Sequence, residues 1–432
     1  MGQIKDKAAR SLAKANALGE ECQRIFTELN EARILSDAAA LDASSGSNQA
    51  LPLYGKTVSL KDLFDEAGKR TTAGSLVLQD VEPARRDADV VARLKAAGAL
   101  IFGRTNMSEF AYSGVGMNPH HGTPGCIYDP SKVPGGSSSG AALSVAHQLC
   151  DIAMGTDTGG SVRVPAAVNG LYGFKPSQKS VSLEGVHPLS PTYDSVGPLT
   201  SSLELLITCM QVIRQEPITI LAPEPAAPER ALKLAIPEDT FTDHLDESVA
   251  LAFHESVQQL NDAGHEIHLV SFAELVELTG ALRLTVSAEG RAFYKNHLET
   301  LKTQGDQHVL ARLHQSDDLT AEDIAMYSEQ RQQAITLFND RLAPFDALLA
   351  PTIRCERPSI SEAQIDFNKV NVSLLTNTTY INLVDGCAMT IPVQRTGLPP
   401  AALMVCGANN QDASVIGVSQ IIDRIVNPEL TH

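Results

Sequence analysis

Thr57-Val58-Ser59-Leu60 and Ala99-Leu100-Ile101-Phe102 are two short apolar runs, and what lies between them decides the fold. Each has the length and the β-branched or aliphatic content of a buried strand. Between them Val90, Val91, Leu94 and Ala97 recur at helical spacing, with Asp89 placed to cap the helix and Gly98 to stop it. Strand, crossover helix and strand predict a parallel pair. The same order returns downstream. Leu234-Ala235-Ile236 precedes a helix from about Glu247 to Ala263, Gly264 closes it, and Ile267-His268-Leu269-Val270 follows. Ala347-Leu348-Leu349-Ala350 is one more apolar strand, ending at Pro351. This alternation predicts an α/β fold, a single large domain over residues 1–432 with a mixed central β-sheet flanked by helices on both faces.

Upstream of the first strand, residues 4–41 read as one or two amphipathic helices. Leu12, Ala15 and Leu18 share one helical face, as do Ile25, Leu29, Ile34 and Leu35. Ser44-Ser45-Gly46-Ser47 is a loop that ends this N-terminal helical segment, residues 1–45. The segment is expected to wrap the outside of the domain and to support a homodimer. Pro217, Pro223, Pro225 and Pro228 make residues 216–229 a linker to a more variable helical insertion at about 230–345.

The formal net charge of −17 favours solubility and argues against a nucleic-acid partner, which needs a basic face. Seven cysteines, an odd number with no CxxC pair, form neither a disulfide framework nor a zinc site. The first residues carry no apolar signal core, and no uncharged apolar stretch is long enough to span a membrane. The expectation is a cytoplasmic enzyme with no membrane partner, no metal and no organic cofactor.

Chemistry concentrates in the stretch 114–173, where 12 of the 30 glycines fall within 60 residues. Glycines cluster where backbone turns sharply or approaches a ligand. Two segments there read Pro134-Gly135-Gly136-Ser137-Ser138-Ser139-Gly140-Ala141-Ala142 and Gly155-Thr156-Asp157-Thr158-Gly159-Gly160-Ser161-Val162-Arg163-Val164-Pro165. In each, small residues let successive backbone N–H groups face an anion, although either serine would serve equally as a helix cap. A third segment, Val58-Ser59-Leu60-Lys61-Asp62, ends a strand on a lysine. Burial there lowers a lysine pKa, and a neutral lysine is a general base. The alternative is an ammonium that reaches water or pairs with Asp62 or Asp65.

Taken together and in this order, the three segments resemble the amidase signature family. The likeness is dense over about 51–200 and includes Gly103-Arg104-Thr105-Asn106-Met107-Ser108-Glu109-Phe110-Ala111 and Gly170-Leu171-Tyr172-Gly173-Phe174-Lys175-Pro176. It returns more loosely at 346–352 and 385–407 and is weak over 210–345. The resemblance implies amide hydrolysis with Ser161 as nucleophile, Ser137 as a relay serine after a cis peptide bond, and Lys61 as terminal base. It implies an oxyanion hole from the backbone N–H groups of Thr158, Gly159, Gly160 and Ser161. It gives Ser138, Asp157 and Arg163 supporting roles, and it places Ser137 and the backbone of Ala111 against the substrate. The chemistry is coherent, because a serine hydroxyl is a poor nucleophile until a base takes its proton.

Other readings fit less of the sequence. Gly136-Ser137-Ser138-Ser139-Gly140 matches the G-x-S-x-G elbow, but the proline-flanked segment Asp129–Pro134 cannot be the strand that an elbow must follow. An amidotransferase A-type subunit with a partner protein usually carries glutamine after the arginine near the nucleophile, where Val164 stands here. A hydrolase of urea derivatives such as biuret is a further alternative, though the large urea-pathway relatives add a C-terminal domain. The partner expected is a small amide. Its pocket is expected to draw on residues 111–128 and 280–380, with His120, His121, Cys126, Arg283, Tyr294, Tyr327 and Tyr380 as candidates.

Overall fold

The computed structural model describes residues 2–44, 46, 49–214 and 230–428. The expected linker at 216–229 lies outside them, as do Ser45 and Ser47 of the expected N-terminal loop.

Eleven strands form one sheet among these residues. They are β1 (Phe26–Glu28), β2 (Thr57–Lys61), β3 (Leu100–Thr105), β4 (Ile152–Asp157), β5 (Tyr172–Lys175), β6 (Ser195–Thr200), β7 (Lys233–Pro237), β8 (Glu266–Val270), β9 (Ala347–Pro351), β10 (Cys387–Arg395) and β11 (Leu398–Gly407). Their order is β1-β3-β2-β4-β6-β5-β10-β11-β9-β7-β8. β2 pairs in parallel with β3 and β4, and β7 with β8 and β9. The remaining pairs are antiparallel, so the sheet is mixed, as the alternation of elements predicts.

Successive side chains of a strand point to opposite faces, and both faces here are apolar. On β3, Ile101 joins the largest core cluster, whereas Leu100 and Phe102 join a second cluster with the N-terminal helices. On β4, Ile152 and Met154 face the large core, and Ala153 packs with Ala141, Ala142 and Val145 of the helix Ser139–Ala146. A sheet buried on both sides favours apolar residues on both faces, which is why Leu100–Phe102 and Ile152–Met154 are legible as strands.

The N-terminal segment differs from its expected form. It holds three helices, Gln3–Ala17, Glu20–Ile25 and Glu31–Ala43, and the residues after Ile25 leave the helix to form the edge strand β1. Ile25 and Phe26 are both buried against the sheet edge, and Phe26 pairs with Thr105. Tertiary pairing here overrides a helical period. Ile4, Ala8, Leu12 and Ala15 form the buried stripe of the first helix. The crossover helix is Asp89–Ala96, but Asp89 is its first residue and does not cap it. Its carboxylate accepts instead from the Ser182 hydroxyl, 2.7 Å away.

The stretch 230–345 contributes β7 and β8 to the sheet besides the helices Leu275–Tyr294, Gln307–Leu313 and Ala321–Leu342. The helix Phe367–Leu383 then crosses to the glycine-rich loops. Among the described residues, no helix is long and apolar enough to cross a membrane.

Candidate active site

Lys61 is the last residue of β2, and Asp157 the last of the neighbouring parallel strand β4. The two strands run in parallel with Leu60 opposite Met154, so β2 ends beside Gly155 and the loops that follow both strands leave from the same edge of the sheet. The chain after β4 is the second glycine-rich segment, carrying Thr158 to Ser161. The first such segment, 134–140, runs beside it and enters the helix Ser139–Ala146. The Ser138 N–H donates to the Ser161 carbonyl at 3.3 Å, which joins the two.

Lys61 is fully buried. Its Nζ stands 2.7 Å from Ser137 Oγ and 2.9 Å from Thr156 Oγ1. Burial pulls its pKa down to about 7, against the opposing fields of Asp194 and Asp157. The lysine therefore pairs with neither Asp62 nor Asp65; Arg104 Nε takes Asp62, at 2.8 Å. The Gly136–Ser137 peptide bond is cis. A Cβ on Gly136 would stand 2.5 Å from the Gly116 nitrogen, so only glycine fits there.

In the second loop Gly160 has φ +140, and a Cβ on it would collide with the Thr378 hydroxyl. That hydroxyl donates to the Gly159 carbonyl at 2.7 Å and turns the peptide so that its N–H side stays free. None of the hydrogen bonds among the described residues is donated by the main-chain N–H of Thr158, Gly159, Gly160 or Ser161. Free donors on consecutive residues are able to face one anion.

A buried ion pair braces this loop. Arg163 Nη2 is 2.9 Å from Asp157 Oδ1 and Nε is 3.0 Å from Oδ2. Burial pushes the Asp157 carboxyl up, but the guanidinium beside it overrides that and holds it at about 2. Asn382 adds a 3.0 Å hydrogen bond to Asp157, and Arg163 donates to the Thr378 carbonyl at 3.0 Å. The helix Phe367–Leu383 is thereby fastened to the loop that carries Ser161.

A cavity of about 420 Å³ opens on Thr158, Gly159 and Ser161, with Ala111 at its edge. Ala111 has φ +60, in the left-handed region. Of the other pocket candidates, Arg283 and Tyr380 line the cavity. The rest serve elsewhere. His120 bonds Glu109 at 2.8 Å, and Cys126 donates to the Val168 carbonyl. Tyr294 stacks on Phe110, and Tyr327 packs against the main core. His121 is absent from the lining, and burial lowers its pKa.

Sequence reasoning missed Thr156, which the lysine touches, although it lies inside the quoted segment 155–165. It also missed Asp194, whose buried carboxylate accepts from Thr158 Oγ1 at 2.5 Å and from the N–H groups of Leu189 and Ser190. Burial raises the Asp194 pKa to about 6 despite these donors. No local pattern marks it, since its partners are Thr158, distant in sequence, and backbone groups of its own turn.

Comparison with known proteins identifies the family. The Amidase family profile matches residues 8–416. The chain is 32% identical to 2-amino-5-chloromuconic acid deaminase of Comamonas testosteroni, over 91% of this chain and 87% of that protein. It is 31% identical to Amidase 1 of Oryza sativa subsp. japonica, over 83% and 88%. A solved amidase crystal structure superposes with a TM-score of 0.88 at 28% identity, covering 98% of this chain and 96% of that one. The chain belongs to the amidase (amidase signature) family, hydrolases of carbon–nitrogen bonds other than peptide bonds.

Proposed function

We propose that the chain hydrolyses a carboxylic amide to an acid and ammonia or an amine through an acyl-Ser161 intermediate. The observation that carries this reading is the buried Lys61, 2.7 Å from the Ser137 hydroxyl and with its pKa drawn down to about 7. Near neutral pH a large fraction of such a lysine holds a free electron pair.

Ser161 Oγ attacks the amide carbon. Its proton passes to Ser137 Oγ as the Ser137 proton passes to Lys61 Nζ. The carbonyl oxygen gains the charge and rests on the free N–H groups of the 158–161 loop. The carbon–nitrogen bond then breaks, and the proton held on Lys61 returns through Ser137 to the leaving nitrogen. Water repeats the sequence on the ester, releasing the acid and restoring Ser161. Arg163 and Asp157 hold the loop in place, and Ser138 ties it to the relay segment. Thr156 is a second hydrogen-bond partner that aims the amine. No metal or organic cofactor takes part in this scheme.

The test is labelling with a fluorophosphonate, read by peptide mass spectrometry. Modification at Ser161, lost in Ser161→Ala together with amide turnover, is the expected result. Modification at Ser138, or full turnover by Ser161→Ala, overturns the assignment.

A further inference from the structure

The chain carries 51 acidic against 34 basic residues, yet its cavity has the opposite sign. Among the described residues lining it, Arg283 and Arg312 are the only charged side chains; no Asp, Glu, Lys or His lies on the wall. Neither arginine makes an ion pair among the described residues. Arg283, exposed on the helix Leu275–Tyr294, donates to the neutral Gln315 side chain at 2.9 Å. Thr279, Leu282, Arg283 and Val286 line the cavity from one face of that helix, the spacing that puts side chains on a common side. Arg312 ends the helix Gln307–Leu313. It donates to the Tyr112 carbonyl, and its guanidinium lies 5.7 Å from the Tyr112 ring centre and 5.3 Å from that of Phe367. Burial works against its charge. Arg312 is a half-buried cation held between rings and a carbonyl; Asp306 lends its field from a distance but forms no ion pair with it, so the guanidinium can still receive an anion from the cavity. Asn368 and Asn371 add amide groups to the same wall, while Leu282, Val286 and Leu375 supply an apolar stretch.

We propose that the substrate is an amide bearing a second group, a carboxylate, at the far end of a short hydrocarbon chain. Arg283 and Arg312 receive the carboxylate while the amide carbonyl lies at the Ser161 loop; this rests on the reading of Ser161 as nucleophile. The cavity volume is near the low end for small-molecule sites, which suits a monoamide of a short dicarboxylic acid.

Two measurements test this. The first compares kcat/KM for the monoamides of succinic, glutaric and adipic acids with that for the neutral diamides of the same acids. Wild type is expected to favour at least one monoamide by about tenfold or more. Arg283→Gln should collapse that ratio, and Arg283→Glu should invert it. The second is calorimetric titration of succinate, glutarate and adipate into wild type and Arg283→Gln, which needs no turnover. Binding to wild type that weakens about tenfold in the variant supports the proposal. A wild-type ratio near one, a ratio untouched by Arg283→Gln, or no dicarboxylate binding overturns it. Dicarboxylate binding without hydrolysis of any amide, and without Ser161 labelling, sinks the nucleophile assignment instead.

Discussion

The glycine-rich stretch 114–173 and the helical wall 275–383 meet at one cavity but are built on different principles. The first places backbone. Its glycines permit a φ of +140 at Gly160 and a close approach at Gly136, its Asp157 and Arg163 hold one another, and its Ser137 and Thr156 hold Lys61, which reaches in from the end of β2. The second places side chains on helices, and its residues touch the cavity singly. On the proposed mechanism, the chemistry common to all amides would need the first, and selection among amides the second. Damage to the stretch should therefore act on every substrate alike, and damage to the wall should re-rank them.

The sharpest way to break that contrast is Lys61→Ala. Loss of a general base is expected to lower kcat by about 10²- to 10⁴-fold on every amide that wild type accepts. A loss confined to some substrates would mean that the lysine binds rather than catalyses. The intact enzyme should gain activity as pH rises through about 7, where Lys61 sheds its proton, and a pH profile with no such rise would remove it from the base role.

Arg163→Met should come next in size. It strands the buried Asp157 carboxylate, a change that typically destabilises by about 3–5 kcal/mol. Thermal denaturation at neutral pH reads this directly. The variant should also lose turnover of all substrates, because the loop loses its brace.

Lys61→Met should act in the opposite sense on stability. Between pH about 7 and 10.5 the unfolded chain protonates this lysine and the folded chain does not, so stability rises with pH across that window. Removing the lysine should raise Tm at pH 8, and the gain should fade as pH approaches 10.5. A lower Tm at every pH would show that its hydrogen bonds outweigh its burial.

The smallest effect belongs to the wall. Val286→Ala should shift the kcat/KM ratio between short- and long-chain amides by about tenfold, the scale of a removed methylene or two in an apolar pocket. Ser161 labelling should change less than that ratio does.

Legibility follows the same division. The doubly covered sheet shows in the sequence because every position of β2, β3 and β4 is buried and the first residues of β3 and β4 are apolar, with polar residues gathered toward the strand ends that face the site. The loops show because only glycine and serine suit them. β1 does not, since Phe26 is paired by residues far along the chain and its own neighbours are helical. Asp194 and Arg312 were equally hidden. An aspartate in a turn and an arginine near a helix end are ordinary locally, and their meaning comes from burial beside Lys61 and over Phe367. The expected candidates His120, Cys126 and Tyr294 failed for the converse reason. Their residue types suggest function, but their partners are structural.

The helix Phe367–Leu383 belongs to both regions at once. Thr378 and Asn382 clasp the loop that carries Ser161, and Asn371, Leu375 and Thr379 look into the cavity. In a saturation library of this helix, tolerance should alternate with the helical turn. One set of positions would be nearly immutable and the set beside it free to drift. A lineage could exchange substrates by walking along that second set, keeping its inherited catalyst intact at every step.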